Sequence, residues 1–302
     1  MPDDIPYNRA MLASGQVQRL SPLVRRLVAP NGGPFTFTGT CTYLAGGESL
    51  AVVDPGPDDP AHVAALLAAI GSARVAHILV THTHRDHSPA AAALKAATGA
   101  PVLGCAPHFA ARDLALGEVD RMDAANDRAY APDHVLADGE EVTGEGYTLR
   151  ALSTPGHTMN HLCFALAEEQ ALFSGDHVMA WSTSVVAPPD GSMSAYMASL
   201  EVLRGRGERV YWPGHGGPVE EPQRFVRALA HHRRQREHSI LNRLAQGDRR
   251  VHEIVAAIYE TLDARLTGAA ALSVYAHLED LVARGLARAE GAATLEGEYS
   301  KI

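Results

Sequence analysis

Short apolar runs separated by glycine and proline open the chain, and 24–28, 40–44 and 50–53 read as strands. From Asp59 the period changes. Val63, Leu66, Leu67 and Ile70 recur at helical spacing and the pattern stops at Gly71, which predicts a helix over 59–70. The run 75–80 is an expected buried strand leading into Thr81. Ser88 then stands as an N-cap before Pro89 at the first helical position, for an alanine-rich helix over 90–98 closed by Gly99. Residues 81–87 therefore lie in the loop between a strand end and a helix start. Further strands are expected over 147–152, 162–167 and 171–174, with Glu168-Glu169-Gln170 as a hairpin turn, followed by a helix over 194–204 and a strand over 209–212. This succession predicts mixed α/β layers rather than a Rossmann repeat.

Beyond Pro222 the texture differs. An arginine- and histidine-rich helix is expected over 224–244, helices over 251–262 and 272–284, and a closing hairpin of 286–289 and 293–298 turning at Glu290-Gly291. The net charge is −9, yet residues 221–302 hold 12 Lys and Arg against 11 Asp and Glu, so the negative balance sits in the first part. A length of 302 residues accommodates one large and one small unit, divided as 1–220 and 221–302. With 46% hydrophobic and 20% charged residues the chain matches neither a disordered polymer nor a membrane bundle. Cys41, Cys105 and Cys163 are odd in number and widely spaced, which argues against a disulfide framework or a thiolate zinc site. The acidic N-terminus lacks the form of a signal peptide, so a cytoplasmic location without membrane attachment is expected.

The chemistry concentrates in Thr81-His82-Thr83-His84-Arg85-Asp86-His87 at the mouth of a strand. Imidazole nitrogen and carboxylate oxygen suit Zn²⁺ and other first-row divalent ions. His82 and His84 alternate on an extended segment and so share one face, while Asp86 and His87, at the turn into the helix, are placed to serve a second ion. Three more candidate ligands each follow an expected strand beside a glycine: His157 in Pro155-Gly156-His157-Thr158, Asp176 in Ser174-Gly175-Asp176-His177, and His215 in Pro213-Gly214-His215-Gly216. Glycine allows the tight turn that aims such a ligand inward. No GxSxG elbow or P-loop is present, and His252-Glu253-Ile254-Val255-Ala256 fails the HExxH pattern at its last position. His62, His77, His108, His134, His252 and His277 read as solvated or structurally hydrogen-bonded, and His177 as a neighbour of Asp176 that points away from the site.

The set HxHxDH, GHT, SGDH and PGHG resembles the metallo-β-lactamase superfamily across residues 17–220. Residues 154–161, 182–186 and 213–218 and the C-terminal unit are similar to its lactamase-β-like protein 2 group, whose members append a winged helix. The resemblance implies an αββα sandwich with two divalent ions, Zn²⁺ first and Mn²⁺ or Fe²⁺ as alternatives. His82, His84 and His157 would hold one ion, Asp86, His87 and His215 the other, and Asp176 would bridge. Cys41 stands where that group usually has asparagine. His161, which recurs in the group, is expected either to contact substrate or to support the ligands, and Asp86 to orient the attacking water as well as bind metal.

Two ions, two carboxylates and a bridging hydroxide leave a site of about +1 charge, suited to an electron-rich carbonyl or phosphoryl oxygen. The expected activity is metal-dependent hydrolysis of a small ester, thioester or related metabolite by a metal-bridging hydroxide. The alternative is an endoribonuclease acting on single-stranded RNA, with Arg224, Arg227, Arg233, Arg234 and Arg236 as candidate phosphate contacts. A regulatory protein with a vestigial site is disfavoured because every ligand position is filled. Val274, Leu278, Leu281 and Val282 share a face of the would-be recognition helix, but Glu279 and Asp280 make it a poor surface for a nucleic-acid groove. Packing within the chain or in a homodimer is the expected use of that helix.

Overall fold

The computed structural model describes residues 5–302, and the apolar runs resolve into two facing sheets. The first has seven strands in chain order: β1 (Gln18–Arg19), β2 (Val24–Val28), β3 (Cys41–Gly46), β4 (Ser49–Val53), β5 (Arg74–Val80), β6 (Val102–Gly104) and β7 (His134–Val135). β1 through β4 pair antiparallel, while β4 to β7 are parallel, with helices α1 (Pro60–Ile70) and α2 (Ala90–Thr98) as crossovers. The second sheet holds β8 (Glu141–Gly144), β9 (Tyr147–Ser153), β10 (Leu162–Leu166), β11 (Ala171–Gly175) and β12 (Val210–Pro213), and α3 (Met193–Arg204) crosses between its last two strands.

Alternation along β10 explains the layering. Leu162, Phe164 and Leu166 join the core between the sheets, whereas Cys163 and Ala165 join a second core with Met193, Tyr196 and Leu200 of α3. Both faces of the sheet are thus buried, and its central strands read as unbroken apolar runs. In β4 every residue is buried, and Leu66 and Leu94 of the crossover helices pack into the same core.

The C-terminal part comprises α4 (Pro222–Ala245), α5 (Val251–Ile258), α6 (Thr267–Ala283) and the paired strands β13 (Ala287–Ala289) and β14 (Tyr299–Lys301). The division near residue 221 falls at the start of a helix shared between cores: Phe225, Val226 and Leu229 pack with α3, Ile240 and Leu244 with α5 and α6. The buried residues of α6 include Val274, Leu278 and Leu281, as its spacing predicts.

Several local expectations are corrected. The second wing strand is β14 and not 293–298, because Gly297 N–H and the hydroxyl of the buried Tyr299 both bond the Thr294 carbonyl, closing a turn there. Ser88 does not cap α2; its hydroxyl donates to Asp127 at 2.7 Å, leaving Pro89 at the cap position without a side-chain bond. Residues 167–169 form one 3₁₀ turn, α5 stops at Ile258, and α6 begins at Thr267 in an alanine-rich stretch without apolar periodicity. The short strands β6, β7 and β8 carry too few residues to register as a pattern.

Candidate metal centre

The loops that follow the strands of both sheets meet at one edge. After β5 the chain presents His82, His84, Asp86 and His87; the β9–β10 loop brings His157 and His161; Asp176 follows β11 and His215 follows β12. All the ring ligands are buried, and only the Asp86 side chain, 25% exposed, reaches solvent appreciably.

The donor atoms converge in the groups the sequence suggests. His84 Nδ1 lies 3.1 Å from His82 Nε2 and 3.0 Å from His157 Nε2. His87 Nε2 lies 3.4 Å from His215 Nε2, and each is 3.2 Å from Asp86 Oδ2. Asp176 sits between the groups, with Oδ1 3.5 Å from His87 and Oδ2 3.4 Å from His215 and 3.8 Å from His157. Ligands about 2.05 Å from a tetrahedral ion are spaced by about 3.3 Å, so these separations fit divalent ions. The triplets His82/His84/His157, His82/His87/Asp176 and Asp86/His87/His215 each qualify as a metal-binding group. Asp176 Oδ1 is buried without a hydrogen-bond partner among the described residues, a cost that a cation would offset.

The reverse side of each ring is held by the fold. His87 Nδ1 bonds Asp54 Oδ2 at 2.9 Å, His82 Nδ1 meets Thr81 Oγ1 at 3.0 Å, His157 Nδ1 meets the Val185 carbonyl at 2.5 Å and His215 Nδ1 the Gly39 carbonyl at 3.3 Å. Such partners fix the tautomer and aim the opposite nitrogen at the ion. Asp54 also accepts from Thr81 N–H and the Thr81 hydroxyl, each at 2.8 Å. Thr40 Oγ1 donates to Asp86 Oδ2 at 2.8 Å, and Asn31 brackets Thr40 with two 2.9 Å bonds. Cys41 itself is buried with Sγ 3.9 Å from the Gly216 carbonyl.

Charge divides the site. Burial holds His82, His84 and His157 below their usual pKa, His84 at about 3, so these rings are neutral and ready to ligate. Burial also opposes charge on His87 and His215, but carboxylates outweigh it: Asp86, Asp176 and Asp54 raise His87, and Asp176 and Asp86 raise His215 to about 10. Reciprocally, burial pushes Asp86 and Asp176 up, but His87 and His215 more than reverse it and hold both below the ordinary carboxylate range.

His161 is fully buried: Nε2 accepts from Asp176 N–H at 3.2 Å and Nδ1 meets Thr154 Oγ1 at 2.8 Å, so it lies beneath the ligands and away from solvent. His177 packs on Tyr196 with ring centroids 4.6 Å apart, behind Asp176 as expected. His62, His77, His108 and His134 all have structural partners, in the Pro55 carbonyl, the Tyr147 hydroxyl, Asp190 and Glu140. His252 is exposed, as the sequence reading expects, and lies in the lining of the cleft above the site.

That cleft encloses about 750 Å³. His84, Asp86, His157, Asp176 and His215 form part of its lining, Met122, Met179 and Val185 add apolar wall, and Val251, Ala271 and Leu272 of the C-terminal unit complete it. The expected row of phosphate contacts on α4 is broken at Arg233, and Arg227 stays exposed. Arg224 pairs with Glu221, Arg234 pairs with Glu201, Arg236 lies 4.2 Å over the Tyr259 ring, and Arg233 is only 3% exposed. On α6, Glu279 is tied to Arg112 and Asp280 to Arg284.

Comparison with known proteins agrees with this geometry. Residues 35–215 match the metallo-beta-lactamase superfamily model and residues 251–294 the beta-lactamase associated winged helix domain. The chain belongs to the metallo-beta-lactamase superfamily. It is a metal-dependent hydrolase by fold and relatives, carrying the winged-helix appendage. It is 32% identical over 292 residues to a beta-lactamase-like protein 2 homolog of Drosophila melanogaster, covering 93% of this chain and 94% of that one. It is 30% identical over 262 residues to an atrochrysone carboxyl ACP thioesterase of Aspergillus terreus, covering 80% and 73% respectively. A metallo-beta-lactamase family protein from Thermus thermophilus superposes with a TM-score of 0.74 at 25% identity, over 94% of this chain and all of that one.

Sequence reasoning missed Asp54, Thr40, Asn31, Ser184 and the cleft wall. Asp54 carried a usable signal, since Val53-Asp54-Pro55-Gly56 places a carboxylate at a strand end two residues before a glycine.

Proposed function

We propose that this protein holds two divalent ions, Zn²⁺ before Mn²⁺ or Fe²⁺, and hydrolyses thioesters of apolar acyl groups. His82, His84 and His157 would hold one ion and Asp86, His87 and His215 the other, with Asp176 shared. The observation that carries the substrate class is the cleft of about 750 Å³, whose wall beyond the metal ligands is largely apolar. Relatives named as acyl carrier protein thioesterases support the same bond type. When bound, ions in such a donor set lower the pKa of water to about 7 and polarise a carbonyl oxygen.

The remaining work falls to the chain. Asp86, partly exposed and ionised throughout the working range, accepts a hydrogen bond from the attacking water and orients it; its depressed pKa makes it a weak proton store. Thr40 fixes the carboxylate for that task. His161 holds Asp176 through its backbone N–H and acts as a support rather than as a substrate contact. Met122, Met179 and Leu272 exclude water from the acyl chain while the thiol end faces the open mouth. Water adds to the carbonyl carbon and the C–S bond breaks; one water proton passes to the departing sulfur to give the thiol, and the other is released to solvent as the carboxylate forms. Three buried free thiols accord with a reducing, cytoplasmic setting.

The test is a panel assay of metal-loaded protein on acyl thioesters of rising acyl size, the matching oxygen esters and a labelled single-stranded RNA. Turnover rising with acyl size, absent after chelation, is the expected result. RNA cleavage without thioester hydrolysis would overturn the substrate reading.

A further inference from the structure

Arg233 was expected as a candidate phosphate contact, and its burial demands another account. A guanidinium taken out of water costs several kcal/mol unless its donors find partners. Here Nη2 donates to the Ser184 carbonyl, Nη1 lies 3.3 Å from Ser273 Oγ on α6, and the group sits 5.0 Å over the Tyr196 ring, while Nε is buried without a hydrogen-bond partner among the described residues.

Those partners lead directly to the metal ligands. Ser184 Oγ donates to the Asp176 carbonyl at 2.5 Å and the His177 carbonyl at 3.0 Å. The next carbonyl, that of Val185, receives His157 Nδ1 and thereby commits Nε2 to the ion. Tyr196, over whose ring the guanidinium lies, donates its hydroxyl to the His177 carbonyl at 3.0 Å. One buried cation therefore clamps the segment that holds Asp176 and His157, two ligands supplied by separate loops. Nothing else among the hydrogen bonds of the described residues ties the Ser184 carbonyl.

We propose that Arg233 is a positioning residue of the metal centre, bracing the 182–185 segment against α4 and α6 so that His157 and Asp176 keep their ligating geometry. In this account the C-terminal unit serves the metal site as well as the cleft wall. The inference rests on the proposed metal occupancy but not on the identity of the substrate. A wild-type protein that binds no divalent ion would defeat that reading before Arg233 is tested.

The experiment uses the full chain with Co²⁺ as probe, reading affinity by chelator competition and ligand geometry by the visible absorption spectrum. Arg233→Met, Arg233→Lys, Ser184→Ala and the Arg233→Met/Ser184→Ala double variant are compared with wild type. Arg233→Met is expected to weaken Co²⁺ binding roughly 10–100-fold and to alter the spectrum, as loss of a ligand's outer partner does. Arg233→Lys should recover part of the loss, since an ammonium still reaches one carbonyl. The double variant should lose less than the product of the two single losses, because both residues act on one segment. If Arg233→Met does not fold, Arg233→Gln, which keeps a polar group but is too short and uncharged to replace the guanidinium on the Ser184 carbonyl, carries the test with an expected loss of at least about fivefold. Unchanged affinity and spectrum in a folded Arg233→Met, or in Arg233→Gln when that variant decides, would assign the arginine to packing alone and overturn the proposal.

Discussion

Replacing Asp54 by asparagine isolates one charge behind the metal centre. Asp54 is 2% exposed and has φ of 50°, a backbone conformation that asparagine tolerates well, so the substitution leaves the turn unstrained. Its carboxylate accepts three hydrogen bonds, from Thr81 N–H, the Thr81 hydroxyl and His87 Nδ1. An amide has one acceptor oxygen, and either orientation turns its NH₂ against at least one of these donors. The least costly choice sacrifices the bond from Thr81 N–H and removes the charge facing His87. A hydrogen bond to a charged group contributes about 1.5–3 kcal/mol, which is the stability loss expected without metal. His87 also loses the carboxylate that makes it a stronger ligand, so metal affinity should fall roughly 10–100-fold. Chelator competition on wild type and Asp54→Asn measures the second quantity, and thermal unfolding of the metal-free proteins the first. Metal affinity within about threefold of wild type would refute the argument that Asp54 tunes the site through His87.

Proton linkage supplies another test. Carboxylates raise His215 to about 10 and His87 well above its ordinary value, so both carry protons at neutral pH without metal and must surrender them to ligate. Affinity at the Asp86/His87/His215 group should therefore climb as pH rises toward about 10, with at least one proton released per ion bound there at pH 7, read by calorimetry in buffers of different ionisation enthalpy. Release of none would contradict the charge distribution. In the cleft, Gly268 on α6 has nothing within 4 Å of where a Cβ would stand, so Gly268→Leu should fold and gain up to about 1 kcal/mol of helix stability. That variant should lose activity on bulky acyl thioesters while keeping it on the smallest; a uniform change across acyl sizes would place the acyl group elsewhere. His215→Ala should retain the fold and lose turnover by about 10²-fold or more, because it removes a ligand and no core side chain. Activity within about threefold would remove His215 from the site.

What the sequence made legible follows from range. Histidines and aspartates placed after strands and beside glycine mark candidate ligands locally, and the loops at Gly156, Gly175 and Gly214 bring His157, Asp176 and His215 together at one edge of the sheets. Gly156 shows why no other residue serves: a Cβ there would stand 2.3 Å from the Tyr196 backbone. Arg233 could not be read this way. Its partners Ser184 and Ser273 are distant in sequence, and on a helix rich in arginine its spacing looks like that of its solvated neighbours. The wing register escaped for a related reason, since the buried Tyr299 and the turn at Thr294 outweigh the weak strand pattern of 293–298. The cleft wall combines residues from β-sheet loops, α5 and α6, and no local motif foreshadows it.

The central claim is a two-ion centre that cleaves thioesters, and metal titration of the stripped protein tests it most directly. Bound metal per chain is measured by elemental analysis at each step, alongside hydrolysis of a long-chain acyl thioester. The account requires full activity as occupancy reaches about two ions per chain, and about one ion retained by Asp176→Ala. Full activity at a single ion with Asp176→Ala unchanged in metal content, or no thioester cleavage at any occupancy, would contradict it.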